Sequence, residues 1–133
     1  MKKLIILIAS AQLLSSCGSE KLNTAEAKKT AESAIEYMGK KKYDDLYKLY
    51  TNDFAHSESK EVRESKINEI ITVIGAVENY TLIDSVAQEN FGEANNLLLT
   101  YQVKHTNLTS KELFTIIVED GKYLIAKIDI QGK

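Results

Sequence analysis

The sequence predicts an α+β domain in which N-terminal helices pack on a four-stranded antiparallel sheet. Three observations carry this. Apolar residues repeat with the helical period as far as Gly75 and with a period of two beyond it. Helical and strand segments are segregated along the chain rather than alternating, which is the α+β order and not the βαβ order. Gly39, Gly75, Gly92 and Gly121 all fall where the pattern changes, so local breakers and hydrophobic pattern agree. The chain has 133 residues, room for one domain.

The first helix is expected to start at Asn23, a capping residue, with Glu26 three residues on to complete a capping box. Ala27, Ala31, Ala34, Ile35 and Met38 then share one face, and Gly39 is a natural stop. Lys40–Lys42 leads into a second helix with the stripe Tyr43, Leu46, Tyr47, Tyr50 and Phe54. A loop is expected over Asn52–Ser57. A third helix starts near Ser57, carries Val62, Ile67, Ile70, Ile71 and Ile74, and stops at Gly75.

Residues 77–87 read as the first strand, and Gly92–Asn96 as a turn. Leu97, Leu99, Tyr101 and Val103 alternate with Leu98, Thr100, Gln102 and Lys104 in the second. A loop over Asn107–Ser110 precedes a third strand, Glu112–Glu119. Asp120-Gly121 is a two-residue hairpin turn, and Lys122–Ile130 is the fourth strand. That turn sets Glu119 opposite Lys122, a favourable charge pair. One face then carries Leu113, Thr115 and Ile117 beside Leu124, Ala126 and Ile128. The other carries Phe114, Ile116 and Val118 beside Tyr123 and Ile125. Both faces are apolar and helices cover only one. The second is covered by sheet curvature, by the tether, or by a second copy in a homodimer through the sheet.

The composition, 44% hydrophobic and 27% charged, is that of a folded chain. The net charge of -2 leaves no basic surplus, which excludes nucleic acid as the main partner. One cysteine allows no intramolecular disulfide and no cysteine-rich zinc site. The sequence holds no HExxH, CxxC, phosphate-binding glycine loop or GxSxG, so no metal, cofactor or hydrolase chemistry is expected. His56 and His105 read as surface or rim histidines, and Asp84 and Asp129 as solvated or structural. Lys28-Lys29 and Lys40–Lys42 read as solvated faces rather than contacts to anionic headgroups.

The first sixteen residues have the form of a secretory signal peptide. Lys2 and Lys3 precede an apolar run, Leu4–Leu14, that is too short for a spanning helix. Leu14-Ser15-Ser16-Cys17 resembles the lipobox of bacterial lipoproteins: an aliphatic residue, two small residues and the modified cysteine. The resemblance implies a diacylglycerol on the Cys17 sulfur and cleavage before Cys17. The membrane partner is then reached through that lipid, and two or three acyl chains hold firmly. Cleavage removes Lys2 and Lys3 and leaves 117 residues, 15 basic against 19 acidic, with a charge of -4. Residues 18–23 read as a tether of about 20 Å at full extension. Gly18 stands where an aspartate would retain an enterobacterial lipoprotein at the inner membrane. The expected address is the cell envelope: the outer membrane of a Gram-negative host or the outer face of a Gram-positive plasma membrane.

The helical hairpin with Lys42-Tyr43-Asp44-Asp45-Leu46-Tyr47, the isoleucine-rich helix closed by Gly75, and the terminal Asp120-Gly121-Lys122-Tyr123-Leu124-Ile125 hairpin are together similar to nuclear transport factor 2-like lipoproteins of bacteria. The resemblance covers nearly all of residues 24–131. It implies a cone-shaped, cystatin-like fold with helices packed into a strongly curved sheet. It implies a binding or interaction module, whose partner is an unnamed envelope protein or small ligand. The alternative is a carrier or enzyme with its site inside the cone. Tyr47, Tyr50, Tyr101, His105, Phe114 and Tyr123 are the residues placed to line such a pocket or an interface.

Overall fold

A computed structural model of the protein describes residues 22–88 and 96–132. The signal peptide, Cys17, most of the tether and the Gly92 turn lie outside the described residues. Four helices come first: α1 (Thr24–Gly39), α2 (Tyr43–Tyr47), α3 (Asn52–His56) and α4 (Lys60–Ile74). Four strands follow: β1 (Val77–Gln88), β2 (Asn96–His105), β3 (Thr109–Glu119) and β4 (Lys122–Gly132). They form one antiparallel sheet in the order β1-β2-β3-β4.

The Asn23 side chain accepts from the backbone N–H groups of Ala25 and Glu26 and so caps α1. The five residues expected on the inner face of α1 are all buried. Leu22 also packs on the core, and the Asn23 N–H donates to the Tyr123 hydroxyl at 2.8 Å. The domain is therefore gripped from Leu22 onward.

The second predicted helix is two short ones. The chain leaves helical geometry after Lys48, and Tyr50 makes a parallel bridge to Ile125 of β4. The Thr51 N–H donates to the Ile125 carbonyl and the Ile125 N–H to the Leu49 carbonyl. Residues 52–56, expected as loop, form α3, because the Thr51 hydroxyl caps Phe54 and restarts a helix. In α4 the buried stripe is Arg63, Ile67, Ile71 and Ile74. Val62, expected inside, is 47% exposed. Residue 63, not 62, lies one helical repeat before Ile67.

The Glu119–Lys122 pairing is as expected. One face assignment is not. Ala126 is skipped in the ladder, so Thr115 pairs with Lys127 while Ile116 pairs with Ile125. This bulge turns Ile128 and Ile130 to the helix side, opposite Phe114 and Glu112. β3 also starts at Thr109, inside the expected loop. Further register shifts in β1 fall between Val77 and Asn79 and between Leu82 and Asp84. Bulges sharpen twist and curl the sheet around α1. The core lies in that curve: Leu97, Leu99, Tyr101, Val103, Phe114, Ile116 and Ile125 against the alanine face of α1. On the outer face Leu98, Leu113, Ile117 and Leu124 are half-buried.

Candidate functional site

The sequence places one arginine in the chain, and the fold buries it. Arg63 is 7% exposed, on the inner face of α4. Its guanidinium carbon lies 5.3 Å from the Tyr50 ring centroid, 5.2 Å from Phe54 and 5.7 Å from Tyr47. The ring faces are negative and attract the cation, by about 2 kcal/mol for a desolvated contact. The break between α2 and α3 makes the box possible. It lets Tyr50 turn against β4 while Tyr47 and Phe54 close the two sides. Tyr50 and Phe54 pack at a tilt with 4.5 Å between centroids, and Tyr47 and Tyr50 likewise at 5.7 Å.

Arg63 Nη2 donates to the Phe54 carbonyl and to Ser57 Oγ. Among the described residues it has no carboxylate partner, unlike its cationic neighbours. Lys60 is paired with Asp44 and Glu64, and Lys66 with Glu58. Nε and Nη1 have no protein acceptor among the described residues, yet they are not among the polar atoms sealed from solvent. The Tyr47 hydroxyl is sealed and has no partner. Burial, with the nearby Glu64 carboxylate, pushes the Tyr47 phenol up from its ordinary value. Burial raises Tyr50 further. Both therefore remain neutral hydrogen-bond donors.

Arg63 borders two cavities. One, of about 400 Å³, runs between α3, α4 and the end of β4. Met38, Tyr50, Phe54, Ile67, Ile70 and Ile130 give it a largely apolar wall. The second, of about 460 Å³, has Tyr47, His56, Ser59 and Lys60 around Arg63. Small-molecule sites have this size and this mix of apolar wall and few polar groups.

A second buried polar group sits at the far end of β2. His105 is 3% exposed and Glu112 2%, which corrects the expectation of a rim histidine. His105 Nδ1 donates to the Gly75 carbonyl at 3.0 Å, since a carbonyl only accepts. Nε2 faces both Ser110 Oγ (3.1 Å) and Glu112 Oε1 (3.2 Å). Ser110 Oγ donates to the same Oε1 at 3.1 Å. A hydrolase triad holds its carboxylate on the nitrogen opposite the serine. Here both groups crowd one nitrogen and a carbonyl takes the other. The cluster ties β2, β3 and the end of α4 together.

The structure brings together only two of the six expected pocket residues, Tyr47 and Tyr50. Tyr101 and Phe114 are fully buried in the core, edge-to-face at 6.0 Å, and the Tyr101 hydroxyl donates to Glu32. His105 belongs to the closed cluster. Tyr123 holds the start of α1. His56 is exposed, as expected. Asp84 and Asp129 are exposed and share one row of the outer sheet face, through Thr100 and Leu113. Arg63 was missed because a charged side chain breaks an apolar stripe by every polarity scale. Its spacing, four residues before Ile67, was the available signal. No group of three or more His, Cys, Asp or Glu side chains among the described residues could hold a metal ion. No helix among them is long and apolar enough to cross a membrane.

No family model matches the sequence, and comparison with curated proteins finds no significant match. Solved structures do match the fold. A scytalone dehydratase-like protein from Novosphingobium aromaticivorans aligns with a TM-score of 0.53 at 10% identity, over 83% of each chain. A protein from Catenulispora acidiphila gives 0.54 at 13% identity, over 82% of this chain and 90% of its own. The beta subunit of the benzoate 1,2-dioxygenase of Burkholderia mallei gives 0.54 at 9% identity, over 86% and 93%. At such identities the likeness is one of architecture: the chain has the nuclear transport factor 2-like fold, helices followed by a curved four-stranded antiparallel sheet.

Proposed function

We propose that the protein is a lipid-anchored binding module of the bacterial cell envelope that holds a small molecule in the cavity between α3, α4 and β4. The observation that carries the binding half is the cavity of about 400 Å³ with its largely apolar wall. Its titratable lining is already engaged: Glu58 with Lys66, and Asp129 with the Gln131 amide. The imidazole of His105 is closed off in its own cluster. That distribution favours holding a ligand over transforming one. The anchoring half rests on Leu14-Ser15-Ser16-Cys17 behind the apolar run.

One preparation tests both halves. The native protein, wild type, Ile70→Trp and Cys17→Ala, is recovered from cell envelopes and extracted for mass spectrometry. The wild type should release a small molecule that Ile70→Trp, with its cavity narrowed, does not carry. Cys17→Ala should lose lipid labelling and leave the membrane fraction or stay unprocessed. Wild type that carries no small molecule counts against the cavity reading, and unchanged lipid labelling of Cys17→Ala against the anchor.

A further inference from the structure

We infer that the cavity takes a carboxylate-headed apolar ligand, and that Arg63 receives the carboxylate. This rests on the binding reading above and names the ligand class of that site. The argument begins with a charge that has no partner. A buried cation costs several kcal/mol unless it is paired and hydrogen-bonded. Arg63 is buried, boxed by three rings and bonded to two oxygens through Nη2 only. Its Nε–H and Nη1–H groups are left over; they lie on different edges of the guanidinium, and each can give a carboxylate oxygen one charge-assisted hydrogen bond.

The surroundings set the charge and the tail. Lys60 and Lys66 are neutralised by Asp44, Glu64 and Glu58. Asp129, which borders the cavity, is exposed and accepts from the Gln131 amide. Arg63 alone of these cations has no carboxylate partner among the described residues, so its free N–H groups suit an anionic head. A ligand that ended in an amine would meet Arg63 as a like charge. Met38, Ile67, Ile70, Ile128 and Ile130 also line the cavity and suit an alkyl or alicyclic tail.

The test uses the full chain in phosphatidylcholine vesicles and equilibrium dialysis of labelled hexanoate and hexanol, with protein-free vesicles as the blank. The two probes share a tail and differ in charge. Hexanoate should bind wild type about tenfold or more tighter than hexanol, the worth of one or two charge-assisted hydrogen bonds. Arg63→Met should abolish that preference and leave hexanol binding in place. Arg63→Lys, which keeps the charge and loses the separate guanidinium donors, should restore part of it. Equal binding of hexanoate and hexanol to wild type overturns the inference while the cavity reading stands. Binding of neither overturns both. A preference that survives in folded Arg63→Met overturns the role of Arg63. Should Arg63→Met fail to fold, the wild-type contrast alone decides.

Discussion

At the scale of single residues, two buried ionisable groups solve the same problem in different ways. His105 and Glu112 sit together, each supplying the partner that the other's burial demands. Arg63 is given aromatic faces, a carbonyl and a hydroxyl, and no counter-charge among the described residues. The first pairs its two groups with each other, with Glu112 Oε2 left buried and unpartnered. Glu112→Ala would leave His105 Nε2 with the Ser110 hydroxyl alone and should destabilise the domain by about 3 kcal/mol, the cost of orphaning one member of a buried pair. The midpoint of urea unfolding measures this. A shift near zero would mean that the cluster holds no stability. Neither arrangement was legible in the sequence. His105 alternates correctly with Val103 and Tyr101 toward the core, but its carboxylate lies on another strand, and strand pairing is not local information.

At the scale of elements, local chemistry decided most of what could be read. The N-cap of α1, its alanine face, the stop at Gly75 and the Asp120-Gly121 turn are each set by neighbours within a few residues, and each is where the sequence places it. The failures share one physical cause. The helix expected to run on from Tyr43 breaks because Leu49, Thr51 and Ile125 exchange backbone hydrogen bonds, a contact with a strand about 75 residues away in the chain. The bulge at Ala126 turns Ile128 inward because the helix side of β4 still needs apolar cover there. Two glycines give a test at this scale. Gly75 has φ +91°, and a Cβ there would meet Thr106 Oγ1 at 1.9 Å. Gly121 has φ +75° with open space around it. Gly121→Ala carries only backbone strain, about 1 kcal/mol, whereas Gly75→Ala adds a clash and should cost about 3 kcal/mol or more. Thermal unfolding of the two variants should rank them in that order, and equal losses would remove the packing argument.

At the scale of the whole molecule, helices and sheet divide the work. The sheet supplies a filled core and an outer face with half-buried Leu98, Leu113, Ile117 and Leu124. The helices supply the cavity, since α3 and α4 meet β4 at its far end without closing on it. A homodimer through the outer face is the second expected use of the sheet. Light scattering on the protein over a range of concentrations should show a dimer that Leu113→Lys dissociates, and a monomer at the highest concentration would remove that partner.

The grip of Tyr123 on Asn23 fixes where the anchored end of the domain begins. On the lipid-anchor reading, four residues, 18–21, separate Cys17 from Leu22, a leash of about 14 Å. From Asn23, α1 runs to Met38, a rise of about 22 Å, and Met38 is a wall of the cavity. The helix is thus a rigid standoff with the leash at its base and the ligand chamber at its tip. With α1 upright on the bilayer, the proposed site lies in the water above the leaflet, a helix length from the anchor.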